Sequence, residues 1–264
     1  MSGVEGARTF QADGESYDSF MGRYSVPLSA RLADFAGVTA GQTALDVGCG
    51  PGALTRELVG RLGAGQVAAC DPSSSFVAAC ISRNPGVEVL DGRAEELPFE
   101  ANRFDHVLAQ LVLHFVSDPE LAATEMSRVL RPGGRVSACV WDFRGGMEML
   151  SLFWSAVLSL DPDAPDHERN LRFGAEGEIA ALLEGAGLTD VVEDKLAVRV
   201  SYEGFEELWT PFHAGIGPAG SYTVSLDESG RQRLRHRFFE VLGSPDGSFS
   251  LSVVAIGATG RKVP

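Results

Sequence analysis

The sequence has few basic side chains. Of its 264 residues, 22 are lysine or arginine and 36 are aspartate or glutamate, which gives a formal net charge of −14. Nucleic acids and anionic membrane surfaces require a cationic footprint, so this balance argues against both as partners. The basic run RQRLRHR at 231–237 follows Asp227 and Glu228, which predicts a solvated helix whose charges suit its dipole.

Long apolar runs and closely spaced cysteines are also missing. No run reaches membrane-spanning length, and the first 16 residues lack the basic-then-apolar pattern of a signal peptide, so we expect a cytoplasmic protein. The four cysteines do not pair at metal-ligand spacing. We expect buried, reduced thiols and no metal site. The cysteines are Cys49, Cys70, Cys80 and Cys139.

The stretch TALDVGCGPGAL at 43–54 joins a short apolar strand to a helix through a glycine-rich turn. Asp46 interrupts the strand, and Gly48 and Gly50 belong to the turn. Glycine lets the backbone approach a ligand closely because it has no Cβ. A turn of this kind presents backbone N–H groups at a helix N-terminus, which favours an anionic or carboxylate-bearing ligand. A tight turn without a ligand is the alternative.

Strands and helices alternate through the first half of the chain. Apolar strand-like segments occur at 43–47, 66–70, 87–90, 104–109 and 135–141, with helical patterns between several of them. This alternation predicts an α/β fold with a parallel sheet. Asp71 ends the second strand, where an acidic side chain can accept hydrogen bonds from both ribose hydroxyls of an adenosine. Phe76 follows within the next helix, and helix capping by Asp71 is the alternative.

Beyond residue 141 the alternation changes. Residues 188–200 and 248–258 read as paired strands, and the 45 or so residues between them are too many for a hairpin loop. They include Trp209, Phe212, His213 and the GIGPAGSY turn. We expect this aromatic insertion to form a lid. Near the N-terminus, YDSFMGRYS is either an amphipathic packing helix or a lid that places Tyr17 and Arg23 over the ligand.

Five motifs together resemble the class I S-adenosylmethionine-dependent methyltransferases, most closely the ubiquinone-biosynthesis-like branch. They are LDVGCGPG, Asp71, GRAEELPF, FDHVLAQLVLHFV and LRPGG, in order, across residues 41–141. The resemblance implies a Rossmann-like, seven-stranded, mostly parallel sheet with helices on both faces, an antiparallel last strand and a lid insertion. We expect a tail and lid helices at 1–40, a methyltransferase domain at 41–264, and substrate-cap insertions near 142–175 and 201–247.

The resemblance implies a cofactor site for S-adenosyl-L-methionine, with S-adenosyl-L-homocysteine as the product. Gly48, Cys49 and Gly50 would meet the methionine and ribose parts, and Asp46 would order the loop or meet the amino group. Gln110 would meet the methionine part. Further residues implied at the site are Asp71 and Pro72 at the ribose, Phe76 and Ala94 at adenine, Arg93 and Glu95 beside it, and Tyr17 and Arg23 in the lid. Arg93 departs from the acidic residue common there and cannot accept a hydrogen bond from the adenine amino group; Glu95 or Asp91 would replace it.

The expected reaction is methyl transfer to a small, fairly apolar molecule. The protein mainly has to align the acceptor with the activated methyl group, and a general base helps if the acceptor atom has a high pKa. His114, just past the fourth strand, is the first candidate base, and Asp142 and His213 are weaker ones. A purely structural role remains open for each. We expect a monomer or homodimer.

Two other functions fit the same residues. GCGPGA also satisfies the dinucleotide-binding pattern, with Asp71 about twenty residues later, so an NAD(P)-dependent oxidoreductase is one alternative. A catalytically idle ligand-binding or scaffolding protein on the same fold is the other.

Overall fold

A computed structural model describes residues 22–164, 172–215 and 217–263. Tyr17 lies outside the described residues, so the prediction that it belongs to a lid stays a prediction. Arg23 is the first residue of helix α1 (Arg23–Ala36). Pro27 lies inside α1 and, because it has no N–H group, cannot donate the helical hydrogen bond to the Arg23 carbonyl oxygen.

A seven-stranded sheet forms the centre of the described structure, in the order β3-β2-β1-β4-β5-β7-β6. Strands β1 to β5 are parallel to one another, whereas β7 pairs antiparallel with both β5 and β6. This confirms the Rossmann-like, mostly parallel sheet and its antiparallel last strand. The strands are β1 (Ala44–Val47), β2 (Val67–Asp71), β3 (Glu88–Asp91), β4 (Phe104–Gln110), β5 (Leu130–Trp141), β6 (Thr189–Tyr202) and β7 (Phe249–Arg261).

Helices cover both faces of the sheet. On one face, apolar residues of α1 and α2 pack in the same core as those of the second half of the chain. On the other face, α4 and α6 contribute their apolar stripes. After α1, the helices are α2 (Ala53–Leu62), α3 (Ser74–Arg83), α4 (Pro119–Val129), α5 (Glu148–Leu160), α6 (Glu178–Gly185), α7 (Phe205–Trp209), α8 (Gly217–Ser225) and α9 (Glu228–Val241).

The second half of the chain adds a helical layer with an aromatic core. The Phe153 and Phe212 rings stack with centroids 4.5 Å apart, and Phe238 meets both of them edge-on. All three side chains are fully buried. The GIGPAGSY stretch differs from the predicted turn, because residues 217–225 form α8. Pro218 sits in the first turn of α8, where its missing N–H is not needed.

Among the described residues, no helix is both long enough and apolar enough to cross a bilayer.

Candidate active site

The glycine-rich turn between β1 and α2 is pinned to the end of β2. The backbone N–H groups of Gly48 and Cys49 both donate to the Cys70 carbonyl oxygen, at 2.8 and 3.0 Å. Gly48 has a φ of 70°, and a Cβ there would lie 2.6 Å from Cγ2 of Val112. Any larger residue at position 48 would therefore have to displace the loop that follows β4.

Asp71 ties this turn to the start of α3. Its carboxylate accepts hydrogen bonds from the Gly50 and Ser73 N–H groups, each at 2.9 Å. The side chain is buried, and burial raises the pKa of Asp71 although both N–H donors oppose the shift. Pro72 beside it is exposed, and Phe76 is half-buried in the first turn of α3. The glycine turn is therefore in direct contact with the carboxylate that we expect to bind the ribose.

Asp46 points away from the turn towards α2. Its Oδ2 atom accepts a hydrogen bond of 2.6 Å from the Thr55 hydroxyl, and both side chains are buried. Burial raises the pKa of Asp46 to about 8, and the nearby Cys80 and Asp71 add to the shift. Of the two predicted roles for Asp46, this contact favours ordering the loop.

The loop after β3 carries the residues predicted to meet adenine. Ala94 is buried, whereas Arg93 is exposed and its Nη2 lies 3.4 Å from Oε1 of Glu95. The same Glu95 oxygen accepts the Ser117 N–H at 3.0 Å. Glu95 is therefore already engaged at the entry to α4. Asp91 is exposed at the end of β3, in register with Asp71.

The ends of β4 and β5 meet the first turn of α1. Nε2 of Gln110 donates to the Ser25 carbonyl oxygen at 3.0 Å, and the Trp141 ring meets the Tyr24 ring edge-on with centroids 6.4 Å apart. Among the described residues, Oε1 of Gln110 and Nε1 of Trp141 are buried without a hydrogen-bond partner. Such atoms are rare in folded proteins and mark places where a ligand or water completes the structure.

Polar contacts of Arg23 and Tyr24 continue from Gln110 and Trp141 to the end of β6, and we call these residues together the polar strip. The Tyr24 and Tyr202 hydroxyl groups are hydrogen-bonded to each other, and burial raises the pKa of both phenols. Arg23 lies over the Tyr202 ring, 4.6 Å from its centroid, and its Nη2 donates to Oε1 of Glu207 at 2.6 Å. The predicted lid arginine is thus positioned by an ion pair with the helical layer.

His114 lies in a short 3-10 helix just past β4, between the rings of Phe115 and Phe143. Burial lowers the pKa of His114 to about 4, so the imidazole is neutral at pH 7. Its Nδ1 atom is buried without a hydrogen-bond partner among the described residues. The free nitrogen of this neutral ring can accept a proton, but a pKa of about 4 makes the imidazole a weak base at pH 7.

The other two candidate bases make contacts that suit structural roles. Oδ1 of Asp142 accepts the Arg144 N–H at 3.0 Å within the turn that leads to α5. His213 is exposed, and its ring packs edge-on against Trp209 with centroids 5.3 Å apart. Sequence reasoning missed Trp141 and Tyr202, although each ends a strand at the edge where ligands bind in α/β sheets. Among the described residues, no group of three or more His, Cys, Asp or Glu side chains could hold a metal ion.

Comparison with known proteins identifies the central region of the chain. Residues 45–138 match the family described as "Methyltransferase domain". An uncharacterized methyltransferase of Mycobacterium tuberculosis is 40% identical over 123 residues, which cover 47% of this chain and 48% of that protein. A ubiquinone/menaquinone biosynthesis C-methyltransferase of Hahella chejuensis is 38% identical over 112 residues, or 39% of this chain and 44% of that protein.

Solved structures agree on the fold. One such structure is phosphoethanolamine N-methyltransferase 2 of Haemonchus contortus in complex with S-adenosyl-L-methionine. It superposes on this chain with a TM-score of 0.60 at 18% sequence identity, and the match covers 100% of this chain and 60% of the enzyme. The chain spans about half the length of the curated relatives it matches. The residues that match the family include the glycine turn and Asp71, and the solved structure supports the fold. Residues 45–138 thus match a methyltransferase domain, and they lie within a sheet whose fold a solved methyltransferase shares.

Proposed function

We propose that the protein transfers a methyl group from S-adenosyl-L-methionine to a small molecule and releases S-adenosyl-L-homocysteine. The observation that carries this proposal is the bond between the Gly50 N–H and the Asp71 carboxylate. It joins the glycine turn to the acidic end of β2, which are the two features an adenosine-containing ligand requires at the edge of such a sheet.

The Asp71 carboxylate has room for the ribose. Its two oxygens offer about four lone-pair sites, and the N–H groups of Gly50 and Ser73 use two of them. The remaining two suit the two ribose hydroxyls. Gly48, Cys49 and Gly50 would face the methionine and ribose parts, because no side chain at Gly48 or Gly50 separates ligand from backbone.

Adenine would lie between the start of α3 and the loop after β3. Phe76 would flank the ring, and the backbone N–H of Ala94 would meet a ring nitrogen. For the adenine amino group we favour Asp91 over Glu95 as hydrogen-bond acceptor. Glu95 already accepts the Ser117 N–H, whereas Asp91 is exposed beside Asp71.

Gln110 would meet the methionine part of the cofactor. Its Nε2 is held by the Ser25 carbonyl, and its Oε1, which is buried without a partner among the described residues, can accept a hydrogen bond from an amino group. Asp46 would keep the turn in shape through Thr55. The cofactor, when bound, supplies an already activated methyl group. The chain then contributes mainly orientation, which is worth up to about 7 to 11 kcal/mol of barrier.

The acceptor would bind where α1 crosses the ends of β4 and β5. Nε1 of Trp141 is a buried hydrogen-bond donor without a partner among the described residues, and the Tyr24 ring packs beside it. A mostly apolar space with a few fixed polar atoms is typical of small-molecule sites. His114, neutral at pH 7, is our candidate for removing a proton from the acceptor; Asp142 and His213 rank below it because their contacts are structural.

The rest of the architecture follows from this assignment. We assign residues 1–40 to a tail and lid, and the regions near 142–175 and 201–247 to a substrate cap. The contacts that support this are the ion pair of Arg23 in α1 with Glu207 in α7 and the bond between Tyr24 and Tyr202 at the end of β6. The net charge of −14 supports a non-nucleic-acid acceptor in the cytoplasm.

Transfer of labelled methyl groups tests the acceptor class. The protein is incubated with S-adenosyl-L-methionine carrying a labelled methyl group and a cell extract that has been separated into small-molecule, protein and nucleic-acid fractions. We expect label in the small-molecule fraction. Label in protein or nucleic acid alone would refute the acceptor class, and transfer to none of the fractions would favour the catalytically idle alternative.

A further inference from the structure

The first turn of α1 contacts three different elements of the fold. Nη2 of Arg23 donates to Oε1 of Glu207 in α7, 2.6 Å away. Two residues later, the Ser25 carbonyl oxygen accepts a hydrogen bond of 3.0 Å from Nε2 of Gln110, at the end of β4. Between them, Tyr24 is hydrogen-bonded to a hydroxyl group at the end of β6. The position of this turn therefore determines how the Gln110 amide is held.

The helix itself does little to fix its first turn. A helix begins with N–H groups that have no partner within it, and a side chain just before the helix commonly accepts one of them. The residue before α1 is Gly22, which has no side chain to do so, and the first turn contains no acidic side chain to suit the helix dipole. Pro27 cannot donate the helical hydrogen bond to the Arg23 carbonyl oxygen. Contacts with the rest of the fold must hold the turn in place.

The remainder of α1 is fixed independently. Asp34, near the end of the helix, pairs with Arg61 of α2, with 2.7 Å between Oδ1 and Nη1. Leu28 and Leu32, in the middle of α1, are fully buried in the core. The loss of one contact at the first turn should therefore loosen that turn without detaching the helix.

Glu207 connects the turn to two neighbouring elements. Its Oε1 accepts from Arg23, and its Oε2 accepts the Glu203 N–H at 2.7 Å, just before α7. The Arg23 guanidinium also lies over the Tyr202 ring, at the end of β6. The Glu207 and Arg23 side chains are 38% and 27% exposed, so solvent partly screens their attraction. Glu207 thus holds Arg23 in one place against both α7 and β6.

We propose that Glu207 is a positioning residue for cofactor binding: through Arg23, it keeps the first turn of α1 where the Ser25 carbonyl holds the Gln110 amide. Oε1 of Gln110 is buried without a partner among the described residues, and the held amide leaves this atom for the amino group of the cofactor. This role rests on the proposed function, in which Gln110 meets the methionine part of S-adenosyl-L-methionine. Because Glu207 belongs to the region assigned to the substrate cap, the contact ties that cap to the cofactor site.

The test measures the affinity of the full chain for S-adenosyl-L-homocysteine by calorimetry in the parent and in Glu207→Gln. Glutamine keeps the size of glutamate and loses the charge that attracts Arg23, and the exposure of this position favours normal folding, which circular dichroism checks. An ion pair that is partly exposed contributes little free energy, so the dissociation constant should rise about two- to fivefold. Arg23 is left intact because its Nη1 is buried without a partner among the described residues and can itself contact a ligand.

A double-mutant cycle separates positioning through Gln110 from a general loss of stability. Gln110→Ala removes the hydrogen bond to the cofactor and should weaken binding by about tenfold or more. If Glu207 acts through Gln110, adding Glu207→Gln to Gln110→Ala should cause no further loss of affinity.

Glu88→Gln is the matched control. It removes an ion pair of similar exposure, with Arg103, at the start of β3, which lies three strands from β4 in the sheet. This variant should bind S-adenosyl-L-homocysteine as the parent does.

Two outcomes would overturn the role of Glu207 alone. One is a folded Glu207→Gln variant that binds S-adenosyl-L-homocysteine as tightly as the parent. The other is a loss of affinity that is equally large with Gln110 and with alanine in its place. A folded parent that binds neither S-adenosyl-L-methionine nor S-adenosyl-L-homocysteine would instead refute the proposed function, and the role of Glu207 in cofactor binding with it.

Discussion

Replacing Asp46 with asparagine should remove a pH-dependent loss of stability that we expect of the native protein between pH 6 and pH 8. Asp46 is 1% exposed and accepts a hydrogen bond from Thr55, which an asparagine oxygen can also accept. Burial raises the pKa of Asp46 from 3.8 to about 8. The ionised carboxylate is therefore the costly form inside the fold.

The sign of the effect follows from proton binding. Between pH 4 and pH 8 or so the folded protein holds a proton on Asp46 that the unfolded chain has lost, so the free energy of unfolding falls as pH rises through this window and levels off above the folded pKa. The slope is about 1.4 kcal/mol per pH unit. From pH 6 to pH 8 the native protein should lose about 2 to 3 kcal/mol through Asp46 alone.

Urea denaturation of the native protein and Asp46→Asn at pH 6, 7, 8 and 9 measures this loss. The difference between the two free energies of unfolding should change by about 2 to 3 kcal/mol in favour of the variant and then stay constant above pH 8 or so. Taking the difference cancels the contributions of groups that titrate in both proteins. Parallel curves across the whole range would show that Asp46 is ionised at neutral pH and would refute the reasoning.

Three further changes test the core, the turn and His114. Phe153→Ala removes a ring stacked on Phe212 and should cost about 3 to 5 kcal/mol of unfolding free energy in urea, whereas Phe153→Leu should cost less. Gly52→Ala should destabilise the protein and lower its melting temperature, because Gly52 has a φ of +95° and a Cβ would lie 2.3 Å from Nδ2 of Asn84; an unchanged melting temperature would contradict this contact. Burial lowers the pKa of His114 to about 4, so the unfolded chain binds the extra proton first as the pH falls. The free energy of unfolding should therefore decrease from about pH 6.5 to about pH 4. His114→Gln should reduce this decrease in denaturation curves recorded at pH 7 and pH 5.

The parallel half of the fold could be predicted from sequence because its signals are local. The apolar strand that contains Asp46 and the strands that end at Asp71 and Gln110 fall where the pattern indicates, and Asp118 caps α4 with Pro119 at its first position. Strand β5 begins at Leu130, five residues earlier than predicted. The segment 130–134 contains Pro132 and two glycines, but its first residue pairs with Phe104 and its glycines exchange backbone hydrogen bonds with Lys262. Composition alone does not reveal pairing of that kind.

The glycine turn and Asp71 follow strands that the sequence indicates, whereas the polar contacts under α1 have no local signal in the sequence. The Tyr24 and Tyr202 hydroxyl groups meet across 178 residues of sequence, and Gln110 meets Ser25 across 85. No local periodicity encodes such contacts.

Calorimetric titration with S-adenosyl-L-methionine and S-adenosyl-L-homocysteine tests the central claim most directly, with NAD as the competing ligand. We expect both sulfur ligands to bind, NAD not to bind, and Asp71→Asn to weaken binding by about 10- to 100-fold. The asparagine amide would present a donor to the Gly50 or Ser73 N–H and would offer fewer acceptor sites to the ribose. Asp246→Asn, an exposed carboxylate in a turn, serves as the control and should bind as the parent does. Tight binding of NAD without binding of either sulfur ligand, in protein that is folded by circular dichroism, would contradict the account.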